Sequence, residues 1–139
     1  MDQPPGTLWV VSVGGHRWAA PVGVVVGLVD LRHGACGRDL RTGLTWAATV
    51  DARRRLGVAP RAPHRGVGLL WRGSRGHHLV IVDALEYLWT PPRAPEPDHV
   101  WRAETPPGWH AWVAAAYRLG PRWIWRWRED WIDSGTGRS

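Results

Sequence analysis

The sequence contains no Phe, no Lys and no Asn, and a single cysteine among its 139 residues. Each absence excludes something. With Cys36 alone no intrachain disulfide can form, which removes the class of small scaffolds stapled by disulfides. Without Lys, all 18 strong positive charges are Arg. Phe, Lys and Asn need A- or T-rich codons, whereas Trp and Arg are written in G and C, so a GC-rich coding sequence favours this composition whatever the protein does. The 12 Trp therefore do not by themselves signal nucleic acid, although stacking and phosphate contacts use these same residue types. No apolar run approaches the roughly 20 residues of a membrane-spanning helix. The stretch from Val22 to Leu31 is short and interrupted by glycine, and the start MDQPPGTLWV has no basic region of the kind that opens a signal peptide. The expected place of synthesis is the cytoplasm, with carriage in a virion or release by lysis as the route to any outside role.

What is present fits one domain, read as residues 1–133 followed by a disordered tail over 134–139. The 17 Gly and 12 Pro call for many turns and argue against a helical bundle. A formal charge of +6 favours anionic partners, with nucleic acid, teichoic acid and acidic lipid all compatible.

Two Val-rich runs, Leu8 to Val13 and Val22 to Leu31, read as strands flanking Gly14-Gly15. Apolar residues at Cys36, Leu40, Leu44, Val50 and Leu56 approach helical spacing and predict a helix ending at Gly57, with Thr45 as its N-cap if Gly43 breaks the early part. VGLLWR and HHLVIVD read as a hairpin closed by GSRG, with a third strand after Asp83. PPRAPEPD is a stiff connection, because proline cannot donate to a ladder. His99 to Glu104 reads as a short strand. Trp109, Trp112, Val113, Ala116 and Tyr117 share a helical face, predicting a helix over 105–119 that starts at Thr105 and stops at Gly120-Pro121. Trp123, Trp125 and Trp127 alternate as in a strand, while Trp123, Ile124, Trp127 and Trp131 also share a helical face; the aromatic enrichment favours the strand. The expected fold class is α+β, with a mainly antiparallel sheet and two principal helices.

Cys36 near a helix start, with His77 and His78 at the start of a later strand, has the order that thiol nucleophilic catalysis uses: a helix N-terminus favours the thiolate and an imidazole takes its proton. The stretch HRGVGLLWRGSRGHHLVIVDALEYLWT, with the later GPRWIWRWREDWID, resembles the CHAP family of papain-like amidohydrolases and peptidases, in its actinobacterial and phage forms. The resemblance implies Cys36 as nucleophile and His78 as base, with His77 as its substitute. Asp98 or Glu96 would orient the imidazole, and the substrate would be a peptide or amide bond of peptidoglycan.

No HxH, HExxH or CxxC pattern occurs, and adjacent His77 and His78 point to opposite faces of a strand, so neither metal nor cofactor is expected. Two non-enzymatic readings stand beside the hydrolase. One is a virion or assembly protein that binds protein partners through exposed Trp and Arg. The other is a basic nucleic-acid-binding module. As a strand, residues 123–128 would put the tryptophans on one face and Ile124, Arg126 and Arg128 on the other, which separates stacking from phosphate contact.

Overall fold

The computed structural model describes residues 6–31, 43, 45–58 and 66–134. Nine strands alternate with short helical pieces: β1 Leu8–Val13, β2 His16–Pro21, β3 Val25–Asp30, β4 Ala48–Asp51, β5 Val67–Gly73, β6 Gly76–Val82, β7 Ala84–Trp89, β8 Val113–Leu119 and β9 Arg122–Trp127. The helices are α1 Ala52–Leu56, α2 Asp98–Glu104 and α3 Trp131–Ser134.

The strands form two sheets, a five-stranded one ordered β7-β1-β2-β9-β8 and a four-stranded one ordered β3-β5-β6-β4. The middle of the chain supplies the four-stranded sheet and its two ends supply the other. Most pairs are antiparallel, but β2 with β9 and β4 with β6 run parallel. The first sheet curls until its edges meet. Trp89 of β7 lies edge-on against Tyr117 of β8 at 5.3 Å, and the Glu96 N–H donates to the Ala116 carbonyl at 2.8 Å. The proline-rich connection thus runs along the free edge of β8, where its missing donors cost nothing.

Both faces of the central strands are buried, which explains runs such as LWVVSV and GLLW where strict alternation is absent. Leu8, Val10, Ala19, Tyr117 and Ile124 pack on one face of the five-stranded sheet. Val29, Leu31, Leu70 and Leu79 do the same in the other sheet. Between the sheets lies one shared core that takes Val11, Trp18 and Trp127 from the first sheet, and Val50, Leu69, Trp71 and Val80 from the second.

The α+β expectation with two principal helices is corrected. The fold is mostly β, and α2, with seven residues, is the only described helix that reaches that length. The predicted helix over 105–119 is a 3-10 turn, Pro107–Trp109, followed by β8. A bulge is the reason. The register between β8 and β9 shifts between Val113 and Ala115, so Val113 and Ala116 reach the same core at a spacing of three and imitate a helical face. Residues 99–104, read as a strand, form α2 instead. Thr105 ends that helix, its hydroxyl donating to the Trp101 carbonyl, and does not begin the next. The helix ending at Gly57 keeps its end but not its length. Gly57 adopts φ +72° as a left-handed cap, while Ala48–Asp51 is strand, paired with β6. The second strand of the first hairpin is His16–Pro21, not the run after Val22. Of the expected tail, Ser134 closes α3 and residues 135–139 lie outside the described set.

Candidate interaction surface

His78 lies within β6, with Trp71 and Ala48 as its neighbours across the sheet. It is buried, its Nδ1 has no hydrogen-bond partner among the described residues, and a Cβ at Gly73 would stand 2.9 Å from that nitrogen. The ring packs closely against the Gly73 backbone. His77 points the other way, opposite Arg72. Asp98 begins α2, is exposed, and accepts from its own helix's Trp101 indole at 3.2 Å. That helix packs on β8 of the five-stranded sheet, whereas His78 belongs to the four-stranded one, so the structure does not bring these two together. Glu96 lies beside β8, its N–H bonded to the Ala116 carbonyl of that strand. Cys36 lies outside the described residues. No group of three or more His, Cys, Asp or Glu could hold a metal ion among the described residues, nor is any described helix long and apolar enough to cross a membrane.

What the fold does gather is indole. Trp18 stacks on Trp127 at 4.9 Å, Trp127 on Trp131 at 4.7 Å, and Trp109 tilts against Trp18 at 5.2 Å. Their polar edges are partly tied. Trp71 Nε1 donates to the Glu129 carbonyl at 2.8 Å and Trp109 Nε1 to that of Leu56 at 2.9 Å, whereas Trp18 Nε1 and Trp127 Nε1 are buried without a partner among the described residues. Seven tryptophans are buried, the other five half-buried and none exposed. The expected exposed-Trp surface is therefore absent; the large apolar residues that do face solvent are Val26, Leu28, Tyr87, Leu88 and Leu119. Val26 and Leu28 lie on β3, Tyr87 and Leu88 on β7 and Leu119 at the end of β8, each an outer strand of its sheet.

Two grooves flank the β8–β9 hairpin. The first, about 340 Å³, is lined by Trp89, Pro91, Pro92, Tyr117, Arg118 and Leu119 among others. The second, about 470 Å³, lies where the parallel strands β2 and β9 begin, and is lined by Gly15, His16, Arg17, Glu104, Arg122, Trp123 and Trp125. Trp123 and Trp125 stack at 5.2 Å with their planes 9° apart, and the Arg118 guanidinium sits over Trp123 at 5.2 Å.

A charged joint stands between the sheets. Asp83, the one residue between β6 and β7, takes Arg53 Nε at 2.6 Å and Nη2 at 2.9 Å, and its second oxygen also takes the Gly14 N–H at 2.7 Å. The hydrogen bond to Asp83 raises the Arg53 pKa above its ordinary value. Two residues on, burial pushes the Arg55 guanidinium down, and it donates to the Trp131 and Ile132 carbonyls at 3.3 Å each. Sequence reading missed this joint, although Asp83 stood out between two apolar runs.

No protein-family model matches the chain, and no curated protein does. Among solved structures, the scaffolding protein TtCheW from Thermoanaerobacter tengcongensis superposes with a TM-score of 0.68 at 14% identity, over 94% of this chain and 89% of that one. At that identity the likeness shows a CheW-like fold. It overturns the resemblance to CHAP domains, since a papain-like domain sets its nucleophile on a helix against a sheet and this architecture is two sheets around a shared core. The hydrolase, peptidoglycan and phage readings that hung on the resemblance are withdrawn with it, and an anionic polymer as partner finds no support.

Proposed function

We propose that this chain is a non-enzymatic adaptor that holds protein partners together. The observation that carries the reading is the likeness to a scaffolding protein, which extends over 94% of this chain and 89% of the other. The surface agrees with it. Exposed apolar residues lie on the outer strands of both sheets, Val26 and Leu28 on one and Tyr87, Leu88 and Leu119 on the other. Outer strands with apolar side chains are where other proteins add contacts, and an adaptor needs two such places apart from one another. The same proposal sets it in the cytoplasm.

The test is stoichiometric. The chain, tagged and purified from its own cell at native level, is cross-linked and its bound proteins are quantified. Two different proteins retained together, which stay apart when mixed without the chain, is the expected result. Elution of the chain alone would overturn the adaptor.

A further inference from the structure

We propose that the groove at the N-terminal ends of β2 and β9 docks an acidic, extended segment of a partner protein, with Arg17 and Arg122 in its lining, and Arg118, which lines the neighbouring groove and reaches over Trp123, as its carboxylate receptors. The inference rests on the adaptor reading and deepens it. Arg17 and Arg122 line the groove beside Trp123 and Trp125, and Arg118, opposite Trp123 in the β8–β9 ladder, covers that indole. Among the described residues none of the three has an ion-pair partner. That differs from Arg53, whose charge is satisfied inside the fold by Asp83.

Stacking matters for the chemistry. A guanidinium lying on an indole spends its face on the ring and keeps its N–H edge free, and that edge matches a carboxylate with two parallel hydrogen bonds. The aromatic floor restricts the side chain before any ligand arrives, which lowers the ordering cost of binding. The chain's charge of +6 adds long-range attraction for an acidic partner.

A nucleic-acid strand fits less well. Trp123 is already engaged by Trp125 and Arg118, so a base would have to compete with both contacts to stack, whereas a carboxylate displaces neither. Glu104 stands in the same groove and opposes an uninterrupted row of phosphates, while a peptide can place an apolar or polar residue there.

The test uses three fluorescein-labelled probes with the full chain: an eight-residue peptide alternating Glu with Ala, the same peptide with Gln for Glu, and an oligothymidylate of equal length. Anisotropy titration should show the acidic peptide binding at least about tenfold more tightly than its Gln counterpart. The Arg17→Gln, Arg122→Gln double variant should lose about tenfold for the acidic peptide, and Glu104→Gln should tighten it a few-fold. Arg75→Gln, in the β5–β6 turn of the other sheet, should change little. Equal binding of both peptides, or an equal loss with Arg75→Gln, would overturn the proposal. Tighter, groove-dependent binding of the oligothymidylate would overturn it in favour of nucleic acid. Of the four substituted side chains three are exposed and Arg17 is half-buried, and unchanged circular dichroism and Trp emission verify the fold. The two readings separate in the pull-down. If the native chain retains two partners and the double variant keeps both, the adaptor stands and the groove falls. If the native chain retains none, the adaptor falls whatever the peptides do.

Discussion

The two sheets solve the same burial problem with different side chains. Of the tryptophans on strands, the five-stranded sheet carries Trp9, Trp18, Trp89, Trp123, Trp125 and Trp127, while the four-stranded sheet carries Trp71 and is otherwise filled by Val, Leu and Ile. Aliphatic packing is nearly directionless, so Leu69, Leu70, Leu79 and Val80 need only matching volume. Stacked indoles require orientation, and they leave polar edges that must either reach a carbonyl or go without. The aromatic sheet is therefore the specific half of the molecule, and its rim carries the two grooves beside β8–β9. The aliphatic sheet supplies a base against which that half is ordered.

The largest test of this contrast is Trp127→Ala against Leu69→Ala. Both side chains are fully buried in the shared core, but Trp127 stacks on Trp18 and Trp131 and meets Trp71 edge-on at 5.8 Å. Urea unfolding should show a loss of about 4 kcal/mol or more for Trp127→Ala, against about 3 for Leu69→Ala. Trp127→Phe should cost much less than its lost volume suggests, because it also removes a buried N–H that has no acceptor among the described residues. Equal costs for the two alanine variants would erase the distinction between the sheets.

Asp83→Ala acts on the joint between them. It strips Arg53 and the Gly14 N–H of their acceptor, and about 2 kcal/mol should be lost. That is less than a fully buried pair would lose, since the Arg53 side chain keeps 17% of its surface in water. A double-mutant cycle with Arg53→Ala isolates the coupling. Asp83 raises the Arg53 pKa, so the stabilisation tied to the guanidinium proton is present below its unfolded value and is lost only as pH rises through the still higher folded one. The coupling should accordingly be flat between about pH 6 and 9. A single unfolding transition is expected in wild type and variant, because the core runs through both sheets; two transitions would separate the sheets into independent units.

The hairpin β5–β6 and the strand β7 were legible because their signals are local: apolar β-formers, a GSRG turn, and a residue count that closes the ladder from Val67 with Val82 to Gly73 with Gly76. The strands β8 and β4 were not. In β8 an Ala-rich segment with a bulge copies helical spacing, and its strand state is fixed by pairing with β9, a partner that local propensity does not weigh. In β4 the cue was a real helix end at Gly57, extended backwards into residues that instead lie parallel to β6. The indole face of β9 was read correctly by alternation, with Trp125 and Trp127 buried in the shared core and Ile124 in the opposite cluster. The surroundings of the candidate catalytic residues are set by tertiary packing, and Cys36 lies outside the described residues. Adjacency in a motif said nothing about His78 being walled in by Gly73 and the β5–β6 turn, or about Asp98 riding on a helix packed against the other sheet.

The smallest expected effect sharpens the contrast within one strand. Trp123 and Trp127 are both indoles of β9 on the same face, but Trp123 is half-buried at the rim, held by Trp125 at 5.2 Å and by Arg118. Trp123→Ala should cost only about 1 kcal/mol, the worth of one partly solvated ring contact with its cation. The emission maximum should move to shorter wavelength as a half-exposed indole is lost and buried ones remain. Binding should respond in the opposite proportion. Without the ring beneath it, the Arg118 guanidinium regains its rotamers, and affinity for the acidic peptide should fall by about tenfold although stability barely changes. A variant that loses several kcal/mol with unaltered peptide affinity would place Trp123 with the core indoles. The reverse, small loss in urea and large loss in anisotropy, makes Trp123 part of the surface that the Trp125 ring beneath it holds in place.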